Sequence, residues 1–419
     1  MNRAPFLLAI LALLTLLPLT GGMIARADDV ATAQPPTAAQ ANARRVMVML
    51  DLPADHMRAG SSYGGDYGDS LGERQRLQAA RKLAREHNLT LLETWPMALI
   101  GVNCVIMQIN DDRTVEAVVS EMEKASGVAW SQPYNEFQMQ GAAPPGPLPG
   151  AYNDKLLPAQ PAASRWHLAN LHKVATGRGV TIAIIDSRIE TGHPDLAGQV
   201  GPVQDFVPGR PLAEQHGTGV AGIIAARPNN AMGIAGVAPG ARVLSLRACW
   251  EKTPRGATVC DSLSLAKALT YAIENHADVI NLSLSGPPDR LISTLIQTAF
   301  RRGSVVVAAI DEAHPAASFP ASLPGVIAVG DERLSDRSGS AYIAPGLDVP
   351  TTEPEGRWNI VSGSSYAAAH VSGLVALLRQ LSGKHSSAEA LLGPHGTINA
   401  CGAMSRISRL DRASCEARR

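Results

Sequence analysis

Short apolar runs, separated by segments with helical periodicity, constrain the fold of this chain more than any other feature of its sequence. The apolar runs are residues 180–185, 243–246, 279–284 and 305–309. Helical patterns follow His216 and cover residues 263–275 and 291–302. Continuous apolar strands that alternate with helices are typical of a parallel sheet buried on both faces. We therefore predict a large α/β domain with a mainly parallel sheet.

A smaller module precedes this domain. Its sequence predicts, in order, a strand, a helix, two strands, a helix and a strand, at residues 45–52, 73–87, 90–95, 100–109, 114–125 and 128–130. The order β-α-β-β-α-β is that of a small α+β, ferredoxin-like module. Residues 141–150, GAAPPGPLPG, are almost wholly Gly, Pro and Ala, so we expect an exposed linker there.

The N-terminus has the pattern of a signal peptide. Arg3 precedes an apolar run at residues 6–19, and Ala25-Arg26-Ala27 fits a cleavage site with small residues. An uncleaved membrane anchor is the alternative, but Pro18 and the glycines after it leave the run shorter than the ~20 residues that span a bilayer. We expect residues 1–27 to be removed on export, and residues 28–43 to form a disordered spacer.

The charge balance excludes a broad class of partners. Lys plus Arg and Asp plus Glu both number 37 in the full sequence. A chain without net charge has no overall attraction for nucleic acid or for an acidic membrane surface. We therefore expect no nucleic-acid partner and no stable membrane insertion after signal cleavage, and we look for specificity in a localised site.

The cysteines also favour an exported protein. Cys249 and Cys260 lie close together in one loop-like stretch, and Cys401 and Cys415 bracket a polar tail. Two local disulfides are the simplest pairing in an oxidising compartment. Cys104 is left over, and its apolar neighbours predict a buried thiol in a strand.

Three segments in fixed order supply the side chains needed for acyl transfer. IAIIDS contains Asp186, HGTGVAG begins at His216, and GSSYAAAHVSG contains Ser365. A nucleophilic serine needs a base to take its proton, and the base needs a carboxylate to fix its tautomer. Asp186 follows a strand at its carboxyl end, and Ser365 begins a helix whose N–H groups can face a developing oxyanion.

With these motifs, residues 166–381 resemble the subtilases, which are secreted subtilisin-like serine peptidases. The order Asp, His, Ser is that of subtilisin, and HGTGVAG is the most specific match. The resemblance implies a three-layer α/β catalytic domain at residues 165–383 and an inhibitory propeptide at 44–140. Ser365 would be the nucleophile, His216 the general base and acid, and Asp186 the residue that orients His216. A linker and processing region at 141–164 would then be cut.

The resemblance also implies the substrate cleft. In VINLSLSGP, the residues that would line the cleft are Ser283, Leu284, Ser285 and Gly286. Their backbone would pair with an extended polypeptide, which is β-augmentation. Polypeptide substrates and the chain's own propeptide are therefore the expected partners, and we expect a monomer.

Several positions depart from the family pattern. Arg188 stands where a glycine is usual, and Asp311 stands where the family has an asparagine amide in the oxyanion hole; an alignment shifted by one residue puts Glu312 there, with the same difficulty. Ser364 and Ala369 replace the usual Thr and Pro of the serine motif. An ionised carboxylate cannot donate a hydrogen bond, so we hypothesise that Asp311 acts in its protonated form and that activity falls as pH rises.

Two regions carry weaker expectations. Asp195 and Asn230 match ligand positions of the family's calcium loop, although an empty surface turn is an equal alternative at residues 229–234. No cofactor is required for the chemistry. The sequence allows either a structural Ca²⁺ or an empty turn at this loop. The polar, basic tail at residues 384–419 predicts a solvated extension closed by Cys401 and Cys415.

Together these observations predict an exported serine endopeptidase, periplasmic or extracellular, that is made as an autoprocessed zymogen. The alternative is a catalytically impaired pseudoprotease that keeps the subtilase fold and binds peptides. Arg188 and Asp311 support the alternative, whereas the intact trio and the propeptide oppose it.

Overall fold

A computed structural model describes residues 44–51, 70–140, 153–209, 212–334, 341–383, 392–408 and 410–416. The predicted signal peptide, the spacer that follows it and residues 141–152 of the linker lie outside the described residues. Within the described part of the chain, no helix is long and apolar enough to cross a membrane.

The N-terminal module is a four-stranded antiparallel sheet with two helices. Its strands are β1 (Arg45–Asp51), β2 (Leu89–Met97), β3 (Val102–Ile109) and β4 (Val128–Pro133), and its helices are α1 (Ser70–Glu86) and α2 (Val115–Met122). The strands lie side by side in the order β2-β3-β1-β4. This is the ferredoxin-like arrangement, and it confirms the predicted β-α-β-β-α-β pattern.

Both faces of this small sheet are buried. Successive side chains of a strand point to opposite faces. In β1, Val46 and Val48 pack in a core with α1 and α2, whereas Met47 and Met49 share a core with the large domain. The module therefore uses one face of its sheet to fold and the other to dock on the large domain.

The large domain is built on an eight-stranded sheet. Its strands are β6 (Thr181–Asp186), β7 (Val200–Asp205), β8 (Arg242–Arg247), β11 (Val279–Leu282), β13 (Val305–Ala309), β14 (Ile327–Gly330), β15 (Tyr342–Ile343) and β18 (Gly396–Thr397). They lie in the order β18-β15-β14-β13-β11-β6-β8-β7, and every pairing among them is parallel. The predicted parallel sheet is confirmed.

Helices cover both faces of this sheet. The helices of the large domain are α3 (Pro161–Arg165), α4 (Leu168–His172), α5 (Gln215–Ala225), α6 (Ser262–Glu274), α7 (Arg290–Arg301), α8 (Ser364–Ser382), α9 (Ala400–Ile407) and α10 (Arg412–Glu416). In β6, Ile182 and Ile184 pack in one core with α5 and α8, and Ala183 and Ile185 pack in a second core with α6 and α7. The predicted three-layer α/β architecture is confirmed.

Two small antiparallel sheets complete the domain. The first contains β5 (Glu136–Met139), β9 (Cys249–Glu251), β10 (Thr258–Asp261) and β12 (Leu284–Ser285), in the order β12-β5-β10-β9. The second is a hairpin of β16 (Val349–Glu353) and β17 (Arg357–Val361). Strand β5 was not predicted from the sequence, and it connects the N-terminal module to the large domain.

The large domain extends beyond both predicted boundaries. Before residue 165, the buried Gln160 amide donates to the Ala235 carbonyl oxygen and accepts from the Ala235 N–H, both at 2.9 Å. After residue 383, Leu392, Ile398 and Met404 pack in the core beside α8. Residues 392–408 and 410–416 are therefore folded onto the domain rather than solvated, because their apolar side chains pack in its core.

Candidate active site

Asp186 and His216 form a buried pair. Asp186 is the last residue of β6, and His216 is the second residue of α5. The His216 Nδ1 lies 2.9 Å from Asp186 Oδ1 and 3.1 Å from Oδ2. The Ser187 N–H also donates to Asp186 Oδ1, at 2.7 Å. A carboxylate held by donors in this way can fix the imidazole with its proton on Nδ1.

The glycine after His216 permits this approach. A Cβ atom at Gly217 would lie 2.3 Å from the Ser187 carbonyl oxygen, which is closer than any side chain tolerates. The Gly217 N–H donates to Ser187 Oγ at 3.0 Å. Helix α5 can therefore begin directly against the end of β6, and this brings His216 to Asp186.

Ser365 lies beside this pair, at the start of α8. The His216 ring packs on the ring of Tyr366, the residue after Ser365, with 5.4 Å between the centroids. The Ser365 hydroxyl donates to the Ser283 carbonyl oxygen at 2.8 Å and accepts from the Gln140 N–H at 3.0 Å. His216 Nε2 is buried and has no hydrogen-bond partner among the described residues. The Asp186–His216 pair thus lies next to the residue that follows Ser365, while the Ser365 hydroxyl is bonded to Ser283 and Gln140.

A segment of the chain itself runs through the adjacent cleft. Strand β5 lies between β12 and β10 and is antiparallel to both. Leu284 and Ser285 of β12 pair with Met139 and Gln138, respectively. The structure therefore places the predicted cleft residues of β12 against an extended peptide.

Gln140, which follows β5, contacts the predicted nucleophile, Ser365. The Ser365 N–H donates to the Gln140 carbonyl oxygen at 3.1 Å. The Gln140 side-chain amide donates to Ser285 Oγ at 2.7 Å. A carbonyl oxygen that accepts from the N–H of the nucleophilic residue is in the position where an oxyanion would develop.

Phe137 fills a pocket in the same cleft. Its side chain is fully buried, and its ring lies 6.1 Å from the Phe319 ring. A Cβ atom at Gly286 would lie 2.3 Å from the Phe137 ring, so the glycine opens the pocket. Phe137, Gln140 and Phe319 were missed in the sequence because the alternation of EFQM is too short to distinguish a strand from a loop.

Arg188 and Asp311, which depart from the family pattern, have hydrogen-bond partners other than Asp186, His216 and Ser365. The Arg188 guanidinium pairs with Asp205 at 3.2 Å, and the Arg188 N–H donates to Glu214 at 2.7 Å. The Asp311 carboxylate accepts from the Ala313 N–H at 2.9 Å, within its own loop. The carboxylate of the next residue, Glu312, accepts from the Arg333 guanidinium at 2.5 Å.

The calcium candidates do not fit a calcium site. The buried Asp195 carboxylate accepts from the Trp358 indole N–H at 2.6 Å, the Asn230 amide at 2.7 Å and the Ile234 N–H at 2.9 Å. Calcium needs carboxylate and carbonyl oxygens directed at the ion, whereas these oxygens are directed at nitrogen donors. Among the residues that the structure describes, no group of three or more His, Cys, Asp and Glu side chains could hold a metal ion.

Both predicted cysteine pairs lie at disulfide distance, with sulfur atoms 2.08 Å apart for Cys249–Cys260 and 1.97 Å apart for Cys401–Cys415. The first pair joins β9 to β10, and Cys260 Sγ lies 3.9 Å from Met139 Sδ in the cleft. Cys104 is free and buried.

Comparison with known proteins relates this chain to the subtilases. The model of the subtilase family matches residues 177–395. The chain is 42% identical to a thermophilic serine proteinase from Bacillus sp. (strain AK1), over 48% of this chain and 52% of that protein. It is 37% identical to thermitase from Thermoactinomyces vulgaris, over 49% of this chain and 76% of that protein. The chain thus spans about half the length of the first of these relatives.

A solved structure supports the fold. The chain is similar to fervidolysin from Fervidobacterium pennivorans, described as a keratinolytic enzyme related to subtilisin, with a TM-score of 0.64 and 21% identity. The similarity covers 88% of this chain and 61% of fervidolysin, so it includes more than the large domain.

Proposed function

Since this chain belongs to the subtilase family, we propose that it is a subtilisin-like serine endopeptidase made as an autoprocessed zymogen. The observation that carries this proposal is the contact between Gln140 and Ser365. The chain presents a peptide carbonyl to the N–H of the predicted nucleophile, with the strand before it paired in the cleft as a polypeptide substrate would be.

The proposed chemistry follows from the positions of the trio. Ser365 Oγ attacks the Gln140 carbonyl carbon and gives its proton to His216 Nε2, which has no other partner among the described residues. Asp186 stabilises the imidazolium that forms. His216 then passes the proton to the leaving nitrogen of Gly141, and water hydrolyses the acyl-enzyme through the same base. A rotation of the Ser365 side chain away from Ser283 must precede the attack.

This arrangement supports a position for the proposed cut. Gln140 lies at Ser365, so we propose cleavage between Gln140 and Gly141, at the start of the processing region inferred from the sequence. After cleavage, β5 would keep its hydrogen bonds to β10 and β12, and Phe137 would keep its pocket. The N-terminal module would thus remain bound as an inhibitor of its own protease.

Export is part of the same proposal. Two cysteine pairs at bonding distance are typical of an oxidising compartment. We propose a periplasmic or extracellular enzyme that acts on polypeptides as a monomer.

One observation favours the second candidate, a peptide-binding pseudoprotease. The Ser365 hydroxyl bonds to Ser283 and Gln140 rather than to His216, and carboxylates follow β13 where an amide donor is expected. A protein that only binds peptides would keep β5 in the cleft without cutting the chain.

The intact mass of the purified chain separates the two candidates. We expect the wild type to split after Gln140 and to react with a fluorophosphonate probe at Ser365. Ser365→Ala should stay joined at this bond and unlabelled. Ser362→Ala is the matched control. Ser362 lies three residues before Ser365, and its hydroxyl accepts a hydrogen bond from the Asp348 N–H. This variant should be processed as the wild type is. A wild type that is folded, uncut and unlabelled would establish the pseudoprotease.

A further inference from the structure

Four charged residues around the start of helix α5 form a closed cycle of hydrogen bonds, which we call the charged cluster. Its members are Arg188, Asp205, Glu214 and Arg247. The Asp205 carboxylate accepts from the guanidinium groups of Arg188, at 3.2 Å, and Arg247, at 3.0 Å. Arg247 Nε also donates to Glu214 Oε2 at 3.3 Å. The backbone N–H of Arg188 donates to the same Glu214 oxygen at 2.7 Å, and this bond closes the cycle.

One half of the charged cluster is buried and the other is not. Glu214 is 8% exposed and Arg247 is 3% exposed, whereas the side chains of Arg188 and Asp205 are partly open to solvent. An ion pair near the surface contributes little, but loss of one partner of a buried pair leaves an uncompensated charge. The bond between Glu214 and Arg247 is therefore the part of the cluster on which its surroundings depend.

Glu214 joins the segment that carries Asp186 to the segment that carries His216. Arg188 follows Asp186 by two residues, and Glu214 precedes His216 by two. The Glu214 N–H donates to the Arg188 carbonyl oxygen at 2.8 Å, while the Glu214 carboxylate accepts from the Arg188 N–H. Backbone and side chain of Glu214 thus both bind the same peptide unit. These bonds hold the end of β6 against the start of α5.

Strands β8 and β9 fix the position of Glu214. Arg247, the last residue of β8, lies beside Asp186 in the register of the sheet and reaches Glu214 from there. Glu214 Oε1 accepts from the Glu251 N–H of β9 at 2.9 Å. The Glu251 carboxylate in turn accepts from the Gln215 N–H, at the first turn of α5, at 2.7 Å. The start of α5 is therefore tied to three strands.

We propose that Glu214 is a positioning residue for His216 and that the other members of the charged cluster hold its carboxylate in place. The proposal rests on the proposed peptidase function, in which His216 must keep its bond to Asp186 while it takes the serine proton. A displacement of about 1 Å in a reacting group can lower the rate about 10²-fold. Arg188, which stands where the family has a glycine, closes the cluster on its exposed side.

The first test measures the position of His216 without any need for activity. It uses the full chain with Ser365→Ala. A proton on His216 Nδ1 that is bound to the Asp186 carboxylate gives a ¹H NMR resonance far downfield of the amide protons, and His216→Ala assigns it. We expect Glu214→Ala to broaden or remove this resonance.

Arg188→Ala is the matched control for this measurement. It removes the exposed ion pair to Asp205 but keeps the backbone N–H that binds Glu214. The His216 resonance should therefore remain. Its loss in Arg188→Ala as well would assign the effect to the loop after β6 rather than to Glu214, and would overturn the proposal.

The second test is kcat of the processed enzyme with a peptide substrate. Glu214→Ala should lower kcat at least tenfold, because a displaced imidazole takes the Ser365 proton less readily. Glu214→Gln keeps one acceptor oxygen for the Arg188 N–H, so it should recover part of this loss. Arg188→Ala should stay within threefold of the wild type. Thermal melting checks that each variant is folded, and if Glu214→Ala does not fold, Glu214→Gln decides by a weakened resonance and a lower kcat.

A double-mutant cycle tests whether Arg247 acts through Glu214. Arg247→Met alone leaves the buried Glu214 carboxylate without its cation, so kcat should fall. In a Glu214→Ala background, Arg247→Met should lower kcat by a clearly smaller factor. Equal factors in both backgrounds would overturn the role given to Arg247.

The outcomes separate this proposal from the proposed function. If the wild type is folded but is neither cut nor labelled by fluorophosphonate, the peptidase function fails, while loss of the resonance in Glu214→Ala would still support the positioning of His216. If the wild type is active and Glu214→Ala keeps both the resonance and a kcat within threefold of the wild type, the peptidase stands and the role of Glu214 is overturned. A purely structural role would lower the melting temperature of Glu214→Ala and leave the resonance unchanged.

Discussion

Buried carboxyl groups in this protein are distinguished by what surrounds each of them. Asp186 receives hydrogen bonds from Ser187 and His216, which suits a permanent acceptor. Asp195 receives three N–H donors where a cation was considered from the sequence. Aspartate thus serves two different purposes in this protein, and the spatial neighbours of each carboxylate decide which.

The hydrogen bonds to Asp195 predict that a variant lacking one of these donors loses stability in a pH-dependent way. Burial raises the pKa of Asp195, while hydrogen bonds from Ile234, Asn230 and Trp358 lower it. Trp358→Phe removes one donor from the ionised carboxylate, so we expect it to destabilise the fold by about 1–3 kcal/mol at neutral pH. A carboxyl group with a raised pKa loses stability as pH rises, so the difference in melting temperature from the wild type should be larger at pH 8 than at pH 4.5.

A double-mutant cycle controls this prediction. In an Asp195→Asn background the buried charge is absent, so Trp358→Phe should cost clearly less than it does alone. Equal losses in both backgrounds would show that the indole stabilises the protein by packing rather than by its bond to Asp195.

Among the strands of the large domain, four central ones with apolar runs were predictable, whereas the strands of the cleft and the edge strand β18 were not. Strands β6, β8, β11 and β13 can be recognised in the sequence as apolar runs, because both faces of a central parallel strand are buried. Strands β5, β12 and β18 have four residues or fewer and are extended because of their partners rather than their own composition. The sequence therefore predicts the sheet and the three segments that carry Asp186, His216 and Ser365, whereas the occupant of the cleft becomes visible only in the structure.

The position of strand β5 predicts how the N-terminal module would inhibit the proposed peptidase. In the processed complex, Phe137→Ala would empty a pocket formed with Phe319 and opened by Gly286. Truncation of a fully buried phenylalanine costs about 3–5 kcal/mol, which corresponds to at least a hundredfold weaker binding of the cleaved module. Recovery of peptidase activity on serial dilution measures this dissociation constant.

Gln138→Ala is the matched control for this experiment. Gln138 lies next to Phe137 in the same strand, but its side chain is exposed. Its replacement keeps the backbone pairing with β10 and β12, so the dissociation constant should change less than threefold. If both variants weakened inhibition equally, backbone pairing rather than the Phe137 pocket would determine the affinity.

Across the whole molecule, the two cysteine pairs lie in regions with different tasks. Cys249 and Cys260 join β9 to β10, and β10 pairs with the peptide in the cleft. Cys401 and Cys415 join α9 to α10, where the tail closes the core beside α8. Their spacing in the sequence suggested both pairs, but it did not show that one lies beside the strand in the cleft and the other at the folded tail.

This difference predicts separable effects of removing each pair. Cys401→Ala with Cys415→Ala should cost about 3 kcal/mol, the value for a loop of about 15 residues, and lower the melting temperature without changing KM. Cys249→Ala with Cys260→Ala should also lower the melting temperature, and it should raise KM several-fold because β10 loses its covalent tie beside the bound peptide. Melting curves and steady-state kinetics at 25 °C, with a substrate that carries the sequence of residues 136–140, measure both effects. An unchanged KM in the Cys249 and Cys260 variant would mean that hydrogen bonds to β9 alone hold the edge of the cleft.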